Sequence, residues 1–344
     1  MRTKVFHDRK IDKKTYFMEW FAYALVGVFV GLTTSCMSQI EAFLVHEKRI
    51  ISDKIIGGAD SNLVEGWLFY SGLSAVLVLV ASSATVYLAP GAAGSGTPEL
   101  ICYLNGVNFP KFIGFNELVV KIFGVTLAVA GGLCVGKEGP LTHIGAIIGA
   151  AVAYFPLPRF EYLRNDTNKR QFIAAGCSAG VSAAFGAPIG GALFAYEISK
   201  PNTFWKFSML WRAFFTCTIA VLSTAIFTHG LKGNPTFDVA PVELKFGGEF
   251  IESPKMDALL CACIVGVICG LLGAFFIWFN FKLLKLRKRY LTSNRLKVLE
   301  AILFALLTSS VFYWMPLAYG ECLDKKLISD KNQDLLLRYD CSEG

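Results

Sequence analysis

The sequence predicts an all-α protein that crosses a membrane several times. Of its 344 residues, 54% are hydrophobic and only 17% are charged, whereas a soluble domain carries roughly 25% charged residues. Several apolar runs approach or exceed the roughly 20 residues that an α-helix needs to span hydrocarbon. A water-soluble fold would have to bury all of these runs in one core, so the composition argues against that class.

The apolar runs and the breaks between them predict the order of the helices. Membrane spans are expected at about 19–45, 67–88, 118–135, 207–228, 258–281 and 298–315. Shorter helices are expected at 98–105, 140–155 and 188–198. The stretch 172–187 is rich in Gly and Ala, which let helix backbones approach closely. Polar loops are expected at 46–64, 156–170 and 229–256.

Two clusters of basic residues set the expected topology. One lies in residues 2–14 and the other in residues 282–289, and both flank predicted spans. Such clusters mark the cytosolic side of membrane proteins and can contact anionic lipid headgroups, so membrane lipid is an expected partner and nucleic acid is not. The expected organisation is a cytosolic segment 1–17, a membrane domain 18–316, and a polar tail 317–344 in a lumenal or extracellular loop.

An eight-residue pattern in the first span recurs in a later one. Residues 25–32 and 264–271 are identical at five of eight positions. The basic cluster precedes the first copy and follows the second, so the two copies would cross the membrane in opposite directions, as in an inverted repeat. The chain would then hold the first repeat and the start of the second.

No residue pattern indicates an enzyme or a metal site. There is no nucleophile–base pair, no phosphate-binding loop with Walker spacing and no pair of CxxC motifs, so we expect neither a metal nor a cofactor. Most of the cysteines lie in apolar segments and are expected to pack as small hydrophobes. Cys322 and Cys341, in the polar tail, are the plausible disulfide partners if that tail faces an oxidising lumen.

Three Gly/Pro-flanked segments interrupt the apolar sequence, at 94–99, 136–140 and 186–191. A bilayer tolerates broken helices only where the exposed backbone is buried in protein or lines a cavity. Helix starts placed this way present free N–H groups, which bind anions. These segments therefore predict a transporter or channel for an anion.

Two side chains in these segments are candidates for that function. Glu138 lies at a half-helix start, where its carboxylate can occupy a site that an anion would fill, so it is a candidate gate; the alternative is a carboxylate that stabilises its own helix dipole. Ser95, between two glycines, can contact an anion or form a turn before Pro98. Lys137 can add positive potential or reach the interface. His143, one turn further, is expected to be a core histidine rather than a proton relay.

Taken together, these motifs resemble those of the CLC family of chloride channels and chloride/proton antiporters. GSGTPE at 94–99, GKEGP at 136–140 and GAPIGGALF at 186–194 occur in the order of that family, with Thr97 where isoleucine is usual. The similarity is greatest to the endosomal–lysosomal branch, through the residues at 89–93, 102–107, 160–170, 204–205 and 320–322.

The resemblance implies a chloride site with Ser95 as a ligand and Glu138 as the gate. A serine at position 95 is typical of a preference for chloride over nitrate. The implied chloride-binding residues are Gly94, Ser95, Gly96, Gly136, Lys137, Glu138 and Gly139.

Two departures from the family pattern bear on function. The antiporters carry two consecutive glutamates where this chain has Glu197-Ile198, and the second is the internal proton acceptor. An apolar residue at Ile198 is typical of the family's channels, so we expect a voltage-gated, channel-like protein or a weakly proton-coupled exchanger. For Glu197, a buried role and an interfacial one are equally compatible with the sequence.

The chain also stops before the motifs that complete the family's chloride site, so it is interpreted as truncated. The alternative function is a non-conducting subunit that modulates a full-length relative. The resemblance implies a homodimer for a full-length protein, and an endosomal or lysosomal membrane more than the plasma membrane.

Overall fold

The described structure is all-α, as the sequence predicts. A computed structural model describes residues 13–56, 63–155, 161, 163–199, 207–231 and 256–319, and it has no β-strand in those ranges. Its helices are α1 Lys13–Ile56, α2 Leu63–Ser83, α3 Thr97–Leu104, α4 Phe115–Ala130, α5 Glu138–Ala153, α6 Asp166–Phe185, α7 Pro188–Ser199, α8 Phe207–Leu231, α9 Met256–Tyr290 and α10 Asn294–Tyr319. A π-helical turn, Ala84–Leu88, and a 3-10 turn, Pro90–Ala92, follow α2. Cys322, Cys341 and most of the polar tail lie outside the described residues.

Long apolar helices in the described part of the chain confirm a polytopic membrane protein. Five stretches have the length and hydropathy to cross a bilayer: Tyr16–Ile55, Leu63–Leu88, Phe207–Thr228, Cys261–Tyr290 and Asn294–Pro316. The helices α3 to α7 are shorter, with 8 to 20 residues each. Helices of this length expose their ends within the fold, and the Gly/Pro segments lie at those ends.

The predicted polar loop at 46–64 is wrong for most of its length. Helix α1 continues to Ile56 and ends before two glycines, Gly57 and Gly58. The segment 33–56 contains neither Gly nor Pro, so nothing in the backbone interrupts the helix although its side chains become polar. Lys48 explains part of that polarity, because it is buried and donates a hydrogen bond to Ser74 Oγ at 2.6 Å.

The predicted loop at 156–170 is also too long, because α6 begins inside it at Asp166. Asn165 is the N-cap, and its side-chain oxygen accepts a hydrogen bond from the backbone N–H of Asn168 at 2.7 Å. Asn is among the preferred residues at this position because it satisfies an N–H group that the helix leaves free. Asn165 therefore starts a helix, which explains the polar cluster around it.

Helices α5 and α6 pack backbone against backbone. A Cβ atom added to Gly145 or Gly149 would overlap a carbonyl of α6, and one added to Gly176 or Gly180 would overlap a carbonyl of α5. Only glycine allows this approach, so the predicted close packing of the small-residue stretch 172–187 is confirmed. The contact holds α5, which carries Glu138 at its first residue, against the core of the protein.

The two copies of the internal repeat lie on helices with different surroundings. In the first copy, a Cβ atom on Gly27 or Gly31 would lie within 2.6–2.8 Å of atoms of α8. In the second copy, Gly266 and Gly270 have no neighbouring atom within 4 Å, and every residue from 261 to 290 is exposed. The same glycine pattern is therefore a helix–helix contact on α1 and an open surface on α9.

This difference gives a paired test of the packing. In the 344-residue chain, Gly31→Ala should lower the midpoint of thermal unfolding in detergent, because the methyl group would meet Ser223 Cβ at 2.6 Å and the Ala220 carbonyl at 2.7 Å; overpacking of this kind costs about 1–3 kcal/mol. Gly270→Ala is the control, since it makes the same change in a helix with open space. Equal midpoints for the two variants would contradict the described α1–α8 contact.

Candidate functional site

The first two Gly/Pro segments meet around one cavity of about 510 Å³. Of the seven residues predicted to bind chloride, the five that line this cavity are Gly94, Ser95, Gly136, Glu138 and Gly139. Small and apolar side chains from α4 and from the turns after α2 form much of the remaining wall. Lys121 and Glu138 are the ionisable residues among the described residues that line the cavity.

The loop that carries Ser95 lies directly against the first turn of α5. A Cβ atom on Gly139 would be 2.8 Å from Ser95 Cβ, and a Cβ atom on Gly96 would be 2.6 Å from His143 Nδ1. Gly96 also has φ +79°, a left-handed conformation that glycine adopts without strain. Two glycines, one on each side, therefore permit the contact between the loop and α5. Gly96 supports the cavity from behind rather than lining it.

Ser95 presents a hydroxyl group that is free to donate. Its Oγ accepts a hydrogen bond from the backbone N–H of Thr97 at 3.3 Å, and no group in the described part of the chain accepts its proton. A hydroxyl has one proton and two lone pairs, so the bond from Thr97 orients Ser95 and leaves the O–H available. Because the residue is exposed to the cavity, the hydroxyl suits an acceptor such as an anion.

One helix, α5, begins at this cavity without a side-chain cap. Its N-cap residue, Lys137, makes no side-chain capping bond, whereas the first N–H of α3 donates to Ser95 Oγ and α6 is capped by Asn165. Uncapped N–H groups at a helix start carry partial positive charge. The start of α5 therefore directs positive potential toward the space that Ser95 and Glu138 share.

The carboxylate of Glu138 lies over its own helix start. It is half-buried, and its Oε2 occupies the space that a Cβ atom on Gly136 would need. Among the described residues it makes no hydrogen bond and no ion pair. A carboxylate held by no partner at the cavity wall can change its position at little cost.

Lys137 points away from the cavity although it is adjacent to Glu138. Its Nζ lies 3.2 Å from Glu41 Oε2 and 3.4 Å from Ser38 Oγ, both on α1. The pair with Glu41 balances the charge of the lysine. Lys137 can therefore reach an anion in the cavity only through its backbone, and its side chain ties the start of α5 to α1.

Lys121 belongs to the cavity, although the sequence patterns did not single it out. It is 1% exposed, makes no salt bridge in the described part of the chain, and its Nζ lies 2.8 Å from His143 Nδ1. Since an ammonium group only donates, Nδ1 accepts and Nε2–H donates to the Phe112 carbonyl at 3.0 Å. His143 is thus the core histidine that the sequence predicts. The sequence did contain a signal for Lys121: it is an ionisable residue within the predicted membrane span 118–135, and such residues usually have a function.

The position at which the resemblance to the antiporters implies a proton-accepting glutamate is apolar and buried here. Ile198 is 6% exposed and packs in a cluster with Leu100, Leu104 and Ala146. Its neighbour Glu197 is exposed, so the buried alternative for Glu197 is wrong. Neither residue places a carboxylate inside the described core of the protein.

The contact between Gly96 and His143 can be tested with a matched pair of variants. Gly94 and Gly96 both have positive φ, +67° and +79°, so alanine at either position carries the left-handed strain of roughly 1–2 kcal/mol. Only Gly96 also faces the His143 ring, which Lys121 and Phe112 hold from two sides. Gly96→Ala should therefore unfold at a lower temperature than Gly94→Ala, because the overlap with His143 lowers the free energy of unfolding by a further amount of about 1–3 kcal/mol. A midpoint for Gly96→Ala at or above that of Gly94→Ala would contradict the described contact.

Comparison with known proteins places these features in a family. Residues 77–336 match the family model described as voltage gated chloride channel. The chain is 36% identical over 342 residues to H(+)/Cl(-) exchange transporter 7 of Mus musculus, covering 94% of this chain and 41% of the relative. It is 32% identical over 352 residues to chloride channel protein C of Dictyostelium discoideum, covering 97% and 46%. The chain thus spans less than half the length of these relatives.

Solved structures have the same fold. A eukaryotic CLC transporter is similar with a TM-score of 0.69 at 25% identity, over 89% of this chain and 51% of the other. A slow cyanobacterial Cl-/H+ antiporter gives a TM-score of 0.69 at 20% identity, over 85% and 63%. The matched residues include both Gly/Pro segments of the cavity, and the chain belongs to the CLC family of voltage-gated chloride channels and transporters.

Proposed function

We propose that the protein transports chloride across a membrane and that the cavity between the Ser95 loop, α4 and α5 is one wall of its pathway. The observation that carries the proposal is the set of donors around this cavity. The uncapped start of α5, the free hydroxyl of Ser95 and the buried ammonium of Lys121 surround a single carboxylate in the cavity lining, that of Glu138. Such a set of donors binds an anion.

In this proposal Ser95 is the inner ligand of chloride and Glu138 is the gate. The Glu138 carboxylate and a chloride ion are both attracted to the start of α5, so they compete for the same positive potential. When the carboxylate moves aside or takes up a proton, chloride can replace it. The free position of Glu138 supports this role, because no hydrogen bond within the described structure has to break first.

Lys121 contributes a fixed positive charge to the pathway. Its charge is buried, and in surroundings of low dielectric the same charge acts more strongly than at a wet surface. Its described hydrogen-bond partner is a neutral imidazole rather than a carboxylate. This separates Lys121 from Lys137, whose charge is balanced by Glu41.

We propose further that chloride movement is channel-like or only weakly coupled to protons. Several relatives are named H(+)/Cl(-) exchange transporters, which favours exchange. The buried Ile198 favours the opposite, because its side chain cannot accept a proton and its neighbours in the cluster are apolar. We give Ile198 more weight, since it belongs to this chain.

The membrane and the assembly are inferred from the resemblance. Endosomal or lysosomal membranes are favoured over the plasma membrane. A homodimer is proposed for a full-length protein, with α7 and α8 as the part of the dimer surface that this chain carries; contact with membrane lipid follows from the five spanning helices.

A second candidate function is that of a non-conducting subunit. The exposure of every residue from 261 to 290 favours it, because α9 then has its whole surface available to pack against another chain. Such a chain could associate with a longer relative and change its activity.

Flux recordings test the proposed transport. The purified protein is reconstituted into liposomes loaded with chloride, and the external chloride concentration and pH are recorded together. We expect chloride efflux with little or no stoichiometric proton movement. Proton uptake in fixed proportion to chloride would contradict the channel-like mechanism, and absence of chloride flux would contradict the proposed function.

The gate is tested in the same recordings with Glu138→Gln, which removes the charge and keeps the shape. We expect chloride flux that no longer depends on pH or voltage. Glu197→Gln is the matched control, because it neutralises an exposed carboxylate away from the cavity. If Glu138→Gln retains the pH and voltage dependence of the wild type, Glu138 is not the gate.

A further inference from the structure

We infer that Thr97 is a positioning residue that holds the Ser95 loop against α5 through a hydrogen bond to Thr142. Thr97 Oγ1 lies 3.2 Å from Thr142 Oγ1. Thr97 is the first residue of α3 and Thr142 lies in the second turn of α5, so the bond joins the helix that follows the Ser95 loop to the helix whose start lines the cavity. The inference deepens the proposed chloride function and rests on it for its transport readout.

Counting protons gives the direction of this bond. Thr142 Oγ1 donates to the Gly139 carbonyl at 2.5 Å, which uses the single proton of that hydroxyl. Thr142 must therefore accept from Thr97, whose O–H becomes the donor. The hydroxyl of Thr97 is thus committed to α5, and the loop keeps the hydroxyl of Ser95 as its free donor to the cavity.

The contacts form a closed circuit around the site. Ser95 Oγ accepts from the Thr97 N–H, Thr97 donates to Thr142, and Thr142 donates to Gly139, the residue after Glu138. Gly139 in turn packs against Ser95 Cβ. A movement of the Ser95 hydroxyl relative to the gate must therefore stretch one of these bonds or break the packing.

The hydroxyl bond supplies what glycine packing cannot. The contacts of Gly139 with Ser95 and of Gly96 with His143 prevent the loop from moving closer to α5, but van der Waals contact alone resists separation weakly. The Thr97–Thr142 bond resists separation. Thr142 is 3% exposed, so its hydroxyl cannot exchange this partner freely for water. The pair therefore fixes the width of the site, on which the fit of an anion depends.

A double-mutant cycle tests the inference. Chloride affinity and the affinity ratio of chloride to a larger anion, iodide, are measured by titration of the purified protein for Thr97→Val, Thr142→Val and the double variant. Each single variant should bind chloride about 2- to 10-fold more weakly, the range expected for one net hydrogen bond. The selectivity for chloride over iodide should fall. The double variant should bind chloride no more weakly than the single variant with the lower affinity, because both substitutions remove the same hydrogen bond.

Two further variants separate positioning from general stability. Thr97→Ser keeps the hydroxyl and should keep both the affinity and the selectivity. Thr34→Val removes a buried hydroxyl that bonds its own helix, to the Val30 carbonyl at 2.9 Å, and should leave selectivity unchanged. Additive losses in the double variant, or a selectivity for Thr97→Val equal to that of Thr34→Val, would overturn the inference.

Thermal unfolding of the same variants keeps this test distinct from that of the proposed function. The midpoints should show the same non-additivity for Thr97 and Thr142, whether or not chloride binds. Absence of that coupling would overturn the hydrogen bond itself. If the unfolding midpoints are non-additive but the wild type binds no chloride, the hydrogen bond exists and the proposed function is wrong. The role of the bond in anion fit is then wrong as well.

Discussion

The distance between Ser95 and the first turn of α5 is set by two glycines, and the rest of the site depends on that distance. Gly139 lets the loop approach α5, and Gly96 lets the same loop lie on the His143 ring. Behind them, α5 is fixed in turn because glycines bring its backbone against that of α6. A larger side chain at Gly96 or Gly139 would move the Ser95 loop away from α5, and the Ser95 hydroxyl and the start of α5 would no longer meet in one cavity.

The charge distribution gives this geometry its chemical meaning. Positive groups around the cavity are fixed: the start of α5 belongs to the backbone, and Lys121 is held by His143. The opposing carboxylate of Glu138, in contrast, has no partner in the described structure. A site with fixed donors and one movable acceptor binds an anion whenever the acceptor leaves, which is the physical basis of the proposed gate. The charge of Lys137, by comparison, is balanced on α1 by Glu41.

Local features of the sequence predicted the fold class and the backbone of the site, and long-range pairings could not be predicted. Gly/Pro segments and apolar runs identified the helix starts, because both act within a few residues. Polarity was a poorer guide: it suggested a loop after residue 45, where α1 continues because no Gly or Pro stops it. The pairings of Lys121 with His143 and of Thr97 with Thr142 join different helices. A single sequence contains no signal for such a pairing, although a lysine within a span marks one partner.

Bromide, which scatters anomalously and replaces chloride, offers the most direct test that the approach of the Ser95 loop to α5 builds an anion site. Crystals of the protein grown in bromide should show an anomalous peak in the cavity, within hydrogen-bonding distance of Ser95 Oγ and near the start of α5. In Glu138→Gln, whose side chain carries no competing charge, the peak should be stronger. A cavity without bromide in both proteins, or bromide bound only elsewhere, would contradict the account.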